Sequence, residues 1–135
     1  AYLGKEVEAI GDKVVLGDSG GTRFGVSLPQ GVAAAVVTIK AENGNPVRVL
    51  QAQPRPGEQS LVWDGLGING ARLPAGNYTV EVSAVDPGGR PLQASTRVVG
   101  TVTGVESRYG SIVLTVGDRE VALEDVHAVR IPEAG

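Results

Sequence analysis

The stretch LVWDGLGINGARLPAGNYTVEV, from Leu61 to Val82, decides the fold. It carries the only tryptophan, Trp63, at the end of an apolar run, and it re-enters as a strand through Tyr78. Leu61 and Trp63 share one face at period 2, as do Tyr78, Val80, Val82 and Ala84. Between the two faces lie Gly65, Gly67, Gly70, Pro74 and Gly76, a dense set of turn residues. The stretch reads as two antiparallel strands joined by an irregular loop. Trp63 and Tyr78 are its structural anchors around a small β core, with Gly76 at the turn into the second strand.

The chain has 135 residues, enough for one domain or two small ones. Hydrophobic residues make up 41%, and charged residues only 20%, so the composition is that of a folding chain rather than a disordered one. Twenty Gly and eight Pro imply many turns and few helices. Twelve basic against fifteen acidic residues give a net charge of −3, and the basic ones form no stripe, which argues against nucleic acid or an anionic membrane as partner. No apolar run approaches the roughly 20 residues of a membrane span. With no cysteine there is neither a disulfide nor a thiol nucleophile. Methionine is absent too, so the chain is read as a processed protein or a piece of a longer one.

Outward from the central stretch, turn signals recur every ~8–12 residues, the rhythm of a β-sandwich. Phe24, Val26 and Leu28 share a face. Within Val32 to Glu42 the alanines suit a helix, but the β-branched run Val36 to Ile39 favours a strand. Asn43-Gly-Asn-Pro46 and Asp86-Pro-Gly-Gly89 read as hairpin turns, and Pro91 to Val98 as one return strand. The ends differ. Leu3 to Val7 and Val14 to Leu16 read as a hairpin, followed by a break at Asp18-Ser-Gly-Gly21. After a second break at Gly100 come short strands at Thr101 to Val105, Ser111 to Val116 and Glu120 to Leu123, with turns at Tyr109-Gly110 and Gly117-Asp118. Closely spaced short strands suit a small barrel. The expected architecture is therefore all-β: residues 1–20 and 99–135 form one small barrel, and a sandwich of residues 21–98 is inserted into it.

No motif here carries catalysis. Gly65-Leu-Gly-Ile-Asn-Gly70 spells G-x-G-x-x-G, but a dinucleotide site needs a helix after the last glycine, and Pro74 and Gly76 forbid one. Asp64 could open a calcium loop, yet Leu66 and Ile68 stand where oxygen ligands belong, so Asp64 is read as fixing its own turn. His127, the only histidine, has Glu124 and Asp125 nearby but no second imidazole, and is read as a partly solvated residue of the last strand. Asn77-Tyr-Thr79 is treated as a chance glycosylation sequon. One Trp, three Tyr and one Phe are too few for a sugar-stacking platform. The expectation is no enzyme activity, no cofactor, no metal and no small-molecule substrate. Leu66 and Ile68, apolar in a loop, are candidate partner contacts; the alternative is that both tuck under Trp63.

Trp63-Asp-Gly65, Gly70, Leu73-Pro-Ala-Gly76-Asn-Tyr78 and Ala84 together resemble the Ig/fibronectin-III-like domain of the flagellar hook-capping family, the hook assembly scaffolds or basal-body rod modification proteins. Leu3-Gly-Lys-Glu-Val7 is similar to the entry into that family's Tudor-like barrel. Gly104-Val-Glu, Gly110, Leu114, Gly117 and Val121 to Val126 are similar to its closing strands. The resemblance spans essentially the whole chain. It implies an Ig/fibronectin-III-like sandwich inserted into a small Tudor-like barrel. It further implies a non-enzymatic scaffold exported by the type III apparatus to the tip of the growing hook, outside the cytoplasm, where it meets the hook protein and self-associates. The competing reading is an Ig-like accessory module of a secreted or surface protein, binding carbohydrate or protein. A methyl-lysine-reading Tudor barrel is rejected, since only Tyr2 and Tyr109 lie in the barrel segments and a cage needs more.

Overall fold

In a computed structural model the protein is described over residues 2–116 and 119–130. It is all-β, with twelve strands among the described residues. These are β1 (Glu6–Ile10), β2 (Lys13–Leu16), β3 (Thr22–Leu28), β4 (Ala34–Ala41), β5 (Pro46–Ala52), β6 (Gly57–Trp63), β7 (Gly76–Val85), β8 (Pro91–Leu92), β9 (Ser95–Arg108), β10 (Ser111–Val116), β11 (Arg119–Ala122) and β12 (Val126–Arg130). The only helical turn among the described residues is a 3-10 turn at Leu123–Asp125. The chain divides into two compact units: Ala1–Ile10 with Val98–Gly135, and Gly11–Arg97.

The discontinuous unit is a curled sheet, a half-barrel, in the order β11-β10-β9-β1-β12. Its core gathers Val7, Ala9, Val102, Leu114, Val116 and Val121, with Tyr2, Ile112, Leu123 and Val126 packed at the margin. The expected break at Gly100 does not occur: β9 runs unbroken from Ser95 to Arg108. The glycines in it make room rather than turns. A Cβ on Gly100 would lie 2.3 Å from Val116 Cγ1, and one on Gly104 would lie 3.0 Å from Thr115 Oγ1, its cross-strand neighbour. The turn expected at Gly117-Asp118 lies outside the described residues.

The continuous unit is a sandwich. One sheet is ordered β2-β7-β4-β5, with β8 also paired to β7; in the other, β3 pairs with β6 and β9. The alternation read in the sequence explains the packing. Phe24, Val26 and Leu28 of β3 and Ala35, Val37 and Ile39 of β4 are buried. The β-branched run of β4 thus outweighs its alanines and forms a strand. Asn43–Pro46 turns β4 into β5, with Gly44 at φ +87° and the Asn43 side chain accepting from Asn45 N–H.

Three expectations are corrected. The front hairpin is not formed: β1 pairs with β12, whereas β2 pairs with β7 in the sandwich, Val14 opposite Tyr78 and Leu16 opposite Gly76. There the apolar face of β2 is covered, with Val14 and Leu16 buried while Lys13 and Val15 face out. Asp12 and Gly11 steer the chain there, through Val80 N–H to Asp12 O (2.7 Å) and Gly11 N–H to Thr96 O (3.1 Å). The Asp18–Gly21 break is accordingly a loop inside the sandwich unit, not its boundary. Next, the strands of Trp63 and Tyr78 do not pair; β6 and β7 lie in different sheets. Finally, Pro91 to Val98 is not one strand: β8 ends at Leu92 on β7, and β9 starts at Ser95.

Candidate functional site

The loop between β6 and β7 is built on the two aromatics that close it. Trp63, with no exposed surface, and Tyr78 meet edge to face, ring centroids 4.9 Å apart at 70°. Tyr78 Oη donates to the Pro74 carbonyl at 2.6 Å, a bond back to the backbone just upstream that fixes the start of β7. Trp63 Nε1 donates to the Leu66 carbonyl at 3.0 Å, fixing the end of β6. Each aromatic therefore buries its ring and uses its polar edge to hold the connecting backbone.

Between these anchors the chain forms a small hairpin of its own. Leu66 and Arg72 pair as an antiparallel bridge. Leu73 N–H donates to Gly65 O (2.9 Å), Gly67 N–H to Ala71 O (2.9 Å) and Gly70 N–H to Gly67 O (3.0 Å). Gly70, at φ +81°, supplies the left-handed residue that closes such a turn. The glycine pattern is thus a turn pattern, and Ile68 and Asn69 form its apex.

Two arginines clamp this hairpin. Arg48 Nη1 donates to Asp64 Oδ1 (2.8 Å) and to the Leu66 carbonyl (3.0 Å). Arg72 donates from Nη1 to Gly20 O (2.9 Å) and from Nη2 to Gly17 O (2.8 Å), tying the hairpin to the β2–β3 loop. Asp64 Oδ1 also accepts Leu66 N–H at 3.0 Å. That bond, and then Arg48, hold the Asp64 carboxyl below its ordinary pKa. The reading of Asp64 as a residue fixing its own turn describes this geometry, but Arg48 and Arg72 were not legible. Arg48 lies 16 residues from Asp64, and Arg72 lies 52 and 55 from its carbonyls, so no local spacing signals either contact.

The candidate contact residues separate. Leu66 is half-buried, its carbonyl filled by Arg48 and Trp63, while Ile68 is 76% exposed at the apex. Gly76, at φ +146°, leads into β7. His127 stands exposed on β12. Among the described residues no group of His, Cys, Asp or Glu is arranged to hold a metal ion.

Comparison with known proteins converges on one family. The FlgD Ig-like domain family matches residues 11–88. The basal-body rod modification proteins FlgD of Salmonella typhimurium and Salmonella typhi are each 32% identical over 97 residues, 71% of this chain. The chain spans 41% of the length of these curated relatives. Among solved structures, FlgD from Xanthomonas campestris, described in connection with hook capping essential for flagellar assembly, is 26% identical with a TM-score of 0.78, covering 95% of this chain and 94% of that one. FlgD from P. aeruginosa, at 23% identity and a TM-score of 0.86 over 96% of this chain and 98% of that one, shares the fold.

Proposed function

Because this chain belongs to the FlgD family, we propose that it is the folded core of a scaffold that caps the growing flagellar hook and promotes polymerisation of hook subunits there. The similarity to X. campestris FlgD along nearly the whole chain carries this reading. In it the protein works without catalysis, after type III export, at the hook outside the cytoplasm. Its partners are the hook protein and, at the hook tip, further copies of itself. The absence of cysteine suits threading through an export channel, since no disulfide has to form or break.

Leu66 and Ile68 supply the contact in this reading, with the roles divided. Ile68 projects as an apolar knob, and Leu66 is the braced base beneath it. Bracing matters because a loop already ordered loses little conformational freedom on binding. The test is complementation of a strain lacking the full-length protein. The wild-type protein should restore hooks and motility. Ile68→Ser should restore them poorly while leaving stability within about 0.5 kcal/mol. Normal hooks in the deletion strain refute the scaffold reading, and full complementation by I68S refutes the role of Ile68 alone.

A further inference from the structure

The chain has four asparagines, and two of them precede glycine: Asn43-Gly44 and Asn69-Gly70. That dipeptide has a chemistry of its own. The glycine amide nitrogen, giving its proton to solvent, attacks the asparagine Cγ. The new N–Cγ bond closes a five-membered succinimide, the Cγ–Nδ2 bond breaks, and the nitrogen leaves as ammonia. Water then opens the ring at either carbonyl, giving aspartate or isoaspartate. Glycine permits the approach because it has no Cβ and turns freely. The other two asparagines are poorly placed for it. Asn77 is followed by the bulky Tyr78, and Asn45 by Pro46, which has no N–H to give up.

Both pairs are exposed and lie in hairpin turns of one type, closed by a glycine at positive φ, +87° at Gly44 and +81° at Gly70. Gly70 N–H donates to Gly67 O (3.0 Å) and Gly67 N–H to Ala71 O (2.9 Å); in the same way Gly44 N–H donates to Ala41 O (2.9 Å) and Ala41 N–H to Asn45 O (2.9 Å). In each turn the asparagine Oδ1 accepts the N–H two residues on, from Ala71 at 3.1 Å and from Asn45 at 2.9 Å. The nucleophile is thus bonded elsewhere and the carboxamide is pinned to a different amide, so reaction needs the turn to open. What keeps each turn closed differs. The Asn43 turn runs on into the β4–β5 ladder, from Lys40 opposite Pro46 to Ala35 opposite Ala52. The Asn69 turn has one bridge behind it, Leu66 to Arg72. Its base is held instead by Arg48 on the Leu66 carbonyl and by Arg72 on the carbonyls of Gly17 and Gly20. We propose that Asn69 is a self-modification site, deamidating through a succinimide with Gly70, and that Arg48 and Arg72 hold it closed in the folded chain. Conversion places a new carboxylate next to Ile68, and the isoaspartate form adds one carbon to the main chain at the apex.

The test incubates the full-length protein at mildly alkaline pH and follows both asparagines in the same sample by peptide mapping with mass spectrometry. In guanidinium chloride Asn43 and Asn69 should convert at similar rates. In native buffer both should slow by at least about tenfold, the factor for a turn open in under about a tenth of the molecules. In Arg72→Ala and in Arg48→Met, Asn69 should convert at least about threefold faster than in folded wild type, while Asn43 keeps its wild-type rate. Asn43 is thus an internal control for a variant that has simply unfolded, and the second variant decides the matter if the first does unfold. No conversion of Asn69 in denaturant overturns the proposal, and so does native wild type converting as fast as the denatured protein. An Asn69 rate unmoved in both variants removes the arginines from it. Equal acceleration of Asn43 and Asn69 in both variants overturns it as well, because global unfolding rather than the clamp would then admit the reaction.

Discussion

Gly20 and Gly21 stand side by side, yet their substitution should fail for opposite reasons. Gly21 has ordinary backbone angles, but a Cβ there would sit 2.3 Å from Trp63 O, 3.2 Å from Trp63 C and 3.3 Å from Asp64 Cα. The obstacle is backbone, so no side chain can rotate away. β3 would have to part from β6 where Thr22 faces Trp63. Forced overpacking costs about 1–3 kcal/mol and a weakened ladder bond about 1 more, so Gly21→Ala should destabilise by about 2–4 kcal/mol. Gly20 has open space around its Cβ position but sits at φ +75°. Gly20→Ala should cost about 1 kcal/mol from left-handed strain, and Gly20→Asn less, since asparagine tolerates that region. Urea unfolding followed by the fluorescence of the single tryptophan measures all three. A Gly21→Ala value within about 0.5 kcal/mol of Gly20→Ala would refute the close-approach argument. Gly20→Asn proving worse than Gly20→Ala would refute the backbone argument.

Two further outcomes follow from the same loop. Tyr78→Phe removes the donor to Pro74 O and leaves the ring contact with Trp63, so it should cost about 1 kcal/mol in the same urea assay; a change under about 0.3 kcal/mol would show the bond to be worth nothing net. Asp64, its pKa held below the ordinary value by Leu66 N–H and then Arg48, contributes stability that is present above about pH 4 and lost as the pH falls through its depressed pKa. A carbon NMR titration should show Asp64 ionising below the usual aspartate range in wild type and moving partway up in Arg48→Met; an unmoved titration would remove Arg48 from the account.

The sandwich was legible because its signals are local. Period-2 faces place Phe24, Val26 and Leu28 inside whatever the partner strand is, and Asn43–Pro46 turns the chain by its own chemistry. The front was misread because alternation states which face is apolar, not which core receives it. Val14 and Leu16 would serve a barrel as well as a sandwich, and only the pairing with β7 decides. Gly100 was misread for a related reason. A glycine that ends a strand and one that clears space for Val116 look alike until the neighbour is in place. At the candidate site the turn chemistry was visible and the clamps were not, since Arg48 and Arg72 act across the fold. Tyr109-Gly110 was recognised as a turn from its residues, and both take positive φ between paired Arg108 and Ser111.

Polar side chains in the sandwich unit are spent largely on its own backbone. Arg72 fills the carbonyls of Gly17 and Gly20, and Arg48 and the Trp63 indole fill that of Leu66. Gln59 exchanges two 2.8 Å bonds with the main chain of Gln53, and Asp86 caps its turn through Gly88 and Arg90 N–H. Groups held this way hold loops still rather than converge on a substrate. At the apex of the β6–β7 loop the chain then turns an apolar residue, Ile68, outward. Under the proposed function this stiffness favours docking on another protein, because the entropy of ordering the loop has already been lost in folding. In the proposed function the glycines and arginines around Ile68 serve that contact indirectly. Loosening the clamp with Arg72→Ala should weaken partner binding even though Arg72 lies behind the apex and Ile68 remains unchanged.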